Sequence, residues 1–183
     1  MKPPAKPPSR TNVVLIGMPG SGKSTVGVVL AKRLGLGFVD TDLIIQSRAG
    51  RTLQQILDSD GVTALRDIEA EAVTSFQPDR QVVATGGSVV YSDAAMRHLR
   101  GAGTLVWLEV DLATLERRVG DYSQRGIAKQ PRQSFEEVFS ERTQLYQQWA
   151  EIVVDAAGPT TEAVCERIQA ALASVVPTST TDP

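Results

Sequence analysis

Asn12 to Ser24 read NVVLIGMPGSGKS. The first half is a short apolar, β-branched run that suits a strand buried on both faces. The second half, Gly17-Met18-Pro19-Gly20-Ser21-Gly22-Lys23-Ser24, satisfies G-x-x-x-x-G-K-[ST] in full. From Lys23 to Leu34 apolar residues recur at helical spacing, and Gly35 suits the stop. Strand, glycine-rich turn and helix start, in that order, make a phosphate cradle. The glycines let successive backbone N–H groups turn inward, and the helix adds its positive end. Lys23 then reaches the β- and γ-phosphates of a nucleotide, and the Ser24 hydroxyl is a ligand for Mg²⁺.

Outward from this loop, short apolar runs alternate with helix-like segments. Gly37–Asp40 (GFVD), Gln81–Thr85 (QVVAT), Thr104–Val110 (TLVWLEV) and Ile152–Asp155 (IVVD) join Asn12–Met18 as strands. Leu43 to Phe76 accommodates two or three helices punctuated by Gly50 and Gly61. Ser92 to Arg100, Asp111 to Val119 and Thr161 to Val176 read as further helices. Such alternation predicts an α/β protein: a P-loop NTPase three-layer α/β/α sandwich around a five-stranded parallel sheet. Residues 120–133 are polar and contain Gly126 and Pro131, so a mobile lid is expected there. The kinase-like domain is expected over residues 11–176. A basic, proline-rich extension (1–10) and a Ser/Thr/Pro tail (177–183) flank it, both expected to be disordered.

Composition narrows the partners. With 19 Lys+Arg against 21 Asp+Glu and a formal net charge of −2, the chain has no global basic footprint for nucleic acid. No apolar run approaches the ~20 residues of a membrane span, and the N-terminus lacks the apolar core of a secretory signal. Cys165 is the one cysteine, so no internal disulfide is possible; it reads as a small apolar filler, and the cytoplasm is the expected compartment. A monomer is expected.

The phosphate loop alone is shared by GTPases, motors and kinases. No N-K-x-D is present to read guanine. The strand at Gln81–Thr85 runs into Gly86-Gly87-Ser88 rather than into the acidic residue usual in motors and ATPases. Asp40-Thr41-Asp42, directly after the second strand, lies on the carboxyl edge where ligands bind in such sheets. If the D-T-D is extended, both carboxylates share one side. One then serves Mg²⁺ through water while the other meets a substrate hydroxyl. Asp42 reads equally well as the cap of a helix beginning at Leu43. Tyr146 and Trp149, one turn apart, read as packing residues, as does Trp107 in its apolar strand.

Taken in order, GMPGSGKST at Gly17–Thr25, FVDTD ending at Asp42, LRDIE at Leu65–Glu69, TGGS at Thr85–Ser88 and ERTQLY at Glu141–Tyr146 resemble the shikimate kinases, within the nucleoside-monophosphate-kinase-like P-loop group. The resemblance spans Asn12 to Leu172. It implies an ATP-dependent, Mg²⁺-assisted phosphotransferase acting on a hydroxyl of shikimate, a small anionic metabolite of aromatic amino-acid biosynthesis. By this resemblance Gly20, Ser21, Gly22, Lys23, Ser24 and Thr25 bind nucleotide phosphate, and Arg118 stacks on adenine. Ser24 and Asp40 organise the metal. Asp42 binds the substrate hydroxyls, and Arg66 and Arg142 grip its carboxylate beside the Gly86-Gly87 backbone. Lys23, Asp42 and the lid residue Arg125 form the catalytic set. Two departures stand out. Ser88 replaces the third glycine usual in the family. The lid reads Gln124-Arg125-Gly126-Ile127-Ala128-Lys129, where Arg-Pro-Leu-Leu is familiar. Both lie on the acceptor side, which leaves open a kinase of another hydroxy acid, of the gluconate or homoserine type, and a nucleotide-binding module that no longer transfers phosphate.

Overall fold

Strand β1 (Asn12–Ile16) is buried along its whole length, because a central parallel strand has helices over both of its faces. It pairs with β3 (Gln81–Ala84) on one side and with β4 (Gly103–Glu109) on the other. Strands β2 (Gly37–Asp40) and β5 (Ile152–Asp155) form the edges of a fully parallel sheet in the order β2-β3-β1-β4-β5. The structure is a computed structural model and describes residues 12–120, 127–130, 132–158 and 160–175. Arg125 and residues 121–126 and 131 of the expected lid lie outside the described residues, as do the extension at 1–10 and the tail at 177–183.

Helix α1 (Lys23–Leu34) packs with α7 (Thr161–Val175) over one face. Helices α3 (Leu53–Thr74) and α4 (Asp93–Ala102) pack on each other over the opposite face, where α4 and α6 (Phe135–Trp149) meet β4. Parallel neighbouring strands need crossover connections of this kind to join them. Helix α5 (Leu112–Val119) starts from Asp111, whose carboxylate accepts the Thr114 N–H at 2.9 Å. Both glycine breaks act as expected. Gly50 closes α2 (Thr41–Ala49) in the left-handed region, and Gly61 (φ 85°, ψ 177°) interrupts α3. Trp107 is buried in the core, and the Cys165 thiol packs against the Val26 carbonyl, as a filler should.

One local expectation is corrected. The D-T-D stretch is not extended, and Asp42 is not a cap. Asp40 leaves β2 with extended backbone (φ −114°, ψ 119°) and caps α2 itself, its Oδ1 accepting the Asp42 N–H at 3.0 Å. The chain thus enters a helix directly from a strand, and Asp42 is freed to project from the first turn. Register matters here too. Asp40 and Leu15 both sit opposite Ala84, so Thr41, Gly86 and Gly17 emerge together at the carboxyl edge of the sheet.

Candidate active site

The phosphate loop is built as its glycines require. Gly20 (φ 84°) and Gly22 (φ 94°) take left-handed backbone, and Gly22 caps α1. Lys23 is buried, and its Nζ donates to the Gly17 and Met18 carbonyls at 2.8 and 2.9 Å. Burial lowers its pKa to about 8, opposed by Asp42 and Asp40. Ser24 Oγ donates to Asp40 Oδ2 at 2.6 Å. Among the described residues no group of three or more His, Cys, Asp or Glu forms a metal cage. A hydroxyl and a carboxylate at the foot of a phosphate loop suit Mg²⁺, which keeps most of its shell for water and phosphate oxygen.

The loop opens onto a cavity of about 560 Å³, within the range of small-molecule sites. Its far side is assembled from four separate elements. Helix α2 contributes Asp42, half-buried, whose carboxyl burial and Asp40 push up to about 6, with Lys23 opposing. Helix α3 contributes Glu69, with Arg66 one turn before it. The turn after β3 contributes Gly86, Gly87 and Ser88. Helix α6 contributes Arg142, 1% exposed. Its Nη2 donates to the Ala128 carbonyl at 2.7 Å, tying α6 to the described end of the lid segment.

Tyr91 organises the two arginines. The Arg66 guanidinium lies 3.7 Å from its ring centroid and that of Arg142 lies 5.4 Å from it. The Arg66 Nε is buried without a hydrogen-bond partner. Among the described residues neither arginine, nor Lys23, is in an ion pair. Lys23 and Arg142 are buried cations in no direct ion pair, which favours a ligand that brings negative charge, so this pocket suits an anionic group.

The glycines keep the two halves of the cavity in contact. A Cβ on Gly87 would lie 2.9 Å from Pro19 Cδ of the phosphate loop and 3.0 Å from Arg142 Nη1. A Cβ on Gly86 would collide with Glu69 Oε1 and lie 2.8 Å from Asp42 Oδ1. Tyr146, fully buried and stacked on Trp107, donates its hydroxyl to the Gly87 carbonyl at 2.6 Å. With Nη1 and Nη2 both donating at 3.1 Å to the Ala156 carbonyl, Arg118 lines the opposite end of the cavity with Gly158 and Val164.

Of the predicted site residues among those described, all but two line this cavity; Asp40 reaches it through its hydrogen bond with Ser24, and Arg66 sits on the Tyr91 ring that also faces Arg142. Sequence reasoning passed over three. Tyr146 is more than a packing residue, Tyr91 carries the arginines, and Glu69 is a buried carboxylate at the pocket floor. Tyr146 lies four residues from Arg142, and Glu69 three from Arg66, so helical spacing already placed each on a functional face.

A parallel sheet with a nucleotide-phosphate loop and, facing it, a carboxylate among unpaired arginines defines a P-loop phosphotransferase acting on a hydroxyl. The sequence model of shikimate kinases matches residues 19–173. A shikimate kinase of Thermodesulfovibrio yellowstonii is 36% identical over 160 residues, covering 86% of this chain and 92% of its own. The structure of a shikimate kinase from Acinetobacter baumannii in complex with shikimate superposes with a TM-score of 0.83 at 25% identity, over 91% of this chain and 95% of its own. That of Aquifex aeolicus superposes with a TM-score of 0.77 at 30% identity, over 89% and 96%. The chain belongs to the shikimate kinase family.

Proposed function

We propose that this protein transfers the γ-phosphoryl group of ATP to a hydroxyl of shikimate, giving shikimate 3-phosphate and ADP. The observation that carries the reading is the pocket facing the phosphate loop, where Asp42 and Arg142 line the cavity, Arg66 shares the Tyr91 ring with Arg142, and neither arginine is in an ion pair among the described residues. The two guanidiniums suit the acceptor's carboxylate, and Asp42 suits its hydroxyl.

In this mechanism the acceptor hydroxyl hydrogen-bonds to ionised Asp42. Its oxygen forms the new bond to the γ-phosphorus as the bond to the β-phosphate oxygen breaks, and Asp42 receives the proton. A carboxyl raised to about 6 is still mostly ionised at neutral pH, yet is a better base than an ordinary aspartate. Lys23 leaves its loop carbonyls to meet the β/γ oxygens, and Arg125 adds positive charge to the same phosphoryl group. Ser24 and Asp40 would hold Mg²⁺, which would supply charge neutralisation for the transferring phosphoryl group. Gly20, Ser21, Gly22 and Thr25 hold phosphate, while Arg118 flanks adenine. The expected setting is a cytoplasmic monomer, in keeping with a lone buried thiol that needs no oxidising compartment.

The test is an ADP-release assay with ATP and Mg²⁺, run with and without shikimate. The expected result is turnover that depends on shikimate. ATP binding without shikimate-dependent ADP release, at high enzyme concentration, would overturn the reading.

A further inference from the structure

The buried carboxylate at the pocket floor has a role of its own. Glu69 is 3% exposed, and Ser88, at the position of the usual third glycine, is 8% exposed. Ser88 Oγ donates to Glu69 Oε2. The other oxygen, Oε1, is buried with no hydrogen-bond partner, and it lies against the same Gly86 α-carbon as Asp42 Oδ1. Two carboxylate oxygens from two different helices thus stand side by side over a residue with no side chain, and both of their residues line the cavity.

We propose that Ser88 is a positioning residue for the acceptor: by taking up Glu69 Oε2 it fixes Oε1 as the receiver of a second hydroxyl, next to the one that Asp42 engages. The pocket then selects a carboxylate-bearing ring with two neighbouring hydroxyls. A lone hydroxyl leaves Oε1 buried and unmatched, which is the usual basis of discrimination against an analogue lacking a polar group. Without the Ser88 hydroxyl the Glu69 carboxylate is free to turn about its terminal bond or to take a proton. The groups that face Glu69 are Ser88, Asp42 from α2, Arg142 from α6 and Lys23 from α1. Burial pushes Glu69 up to about 7, and the Ser88 hydrogen bond and the two cations hold it from going higher.

This inference rests on shikimate as acceptor, and the experiment separates the two. Steady-state kinetics are measured for the wild type, Ser88→Ala and Ser88→Gly, with shikimate and with a shikimate analogue lacking the hydroxyl next to the one phosphorylated. ADP affinity serves as the check on folding. The wild type is expected to handle the analogue about tenfold less efficiently than shikimate. Both Ser88 variants should raise the shikimate KM by about tenfold, lower kcat less, and largely lose the penalty against the analogue. The acid limb of their kcat/KM profile should move to higher pH, because the hydrogen bond that favours ionised Glu69 is gone. An unchanged shikimate KM, or an undiminished analogue penalty in both variants, overturns the role of Ser88. Absence of shikimate turnover in the wild type with normal ADP binding overturns the assigned acceptor instead.

Discussion

The two halves of the cavity recognise their ligands by different means. The phosphate half is eight consecutive residues, Gly17 to Ser24, and works through backbone N–H groups and one helix end. The acceptor half draws Asp42 from α2, Arg66 and Glu69 from α3, Gly86 to Ser88 from a turn, and Arg142 and Tyr146 from α6. It works through side chains held at an exact distance by packing. The first half tolerates any fold that delivers a strand into a helix. The second exists only if four elements meet correctly, so small changes there should alter the acceptor reaction while leaving nucleotide binding alone.

That contrast can be broken most directly at Asp42. Asp42→Asn should lower kcat by about 10²- to 10⁴-fold while ADP affinity measured by calorimetry stays within a factor of two or so. The same variant should be more stable. A folded pKa raised to about 6 from the usual carboxylate value means the folded state holds a proton the unfolded chain has already lost. Stability therefore falls as pH rises between those two values, and asparagine removes a penalty of about 1 kcal/mol at neutral pH, readable from the urea midpoint.

Next in size are the arginines. Arg66→Lys and Arg142→Lys should each raise the acceptor KM by about 10- to 100-fold, since lysine cannot reproduce a bidentate grip on a carboxylate. An equal loss of ADP affinity would mean the two halves are not separable as argued.

A pH titration sharpens the comparison. Acceptor kcat/KM should begin to fall below pH ~7, as Glu69 takes up its proton, and fall more steeply below pH ~6, as Asp42 does. ADP affinity, governed by backbone donors and Lys23, should show no matching break there.

The smallest effect belongs to Tyr146→Phe. It removes only the hydroxyl that holds the Gly87 carbonyl, so stability should drop by about 1 kcal/mol. Acceptor KM should rise a few-fold while ADP binding is unchanged, and a purely structural tyrosine would move stability alone.

Much of this was legible along the chain because the signals are local. The motif at Gly17–Ser24, the five apolar runs and the glycine stops at Gly35, Gly50 and Gly61 each depend on neighbours a few residues away, and each matches the structure. The misreading at Asp40–Asp42 is instructive. Either aspartate can cap, and the choice fell to Asp40 because β2 ends there with the right backbone angles, which sequence spacing does not show. Tyr146 read as an ordinary packing aromatic, and Tyr91 drew no reading at all. Their roles come from partners on other elements: the Arg66 and Arg142 guanidiniums for Tyr91, the Gly87 carbonyl for Tyr146.

The sequence by itself determined that a nucleotide's phosphates are held here, in a parallel α/β sheet, because cradle geometry is written in consecutive glycines, a lysine and a helix start. Only the tertiary structure decided what faces that cradle. Ser88 lies nineteen residues from Glu69 along the chain, and Glu69 and Asp42 reach Gly86 from different helices. A buried carboxylate acquires its acceptor geometry from such long-range contacts, which no local pattern of residues encodes.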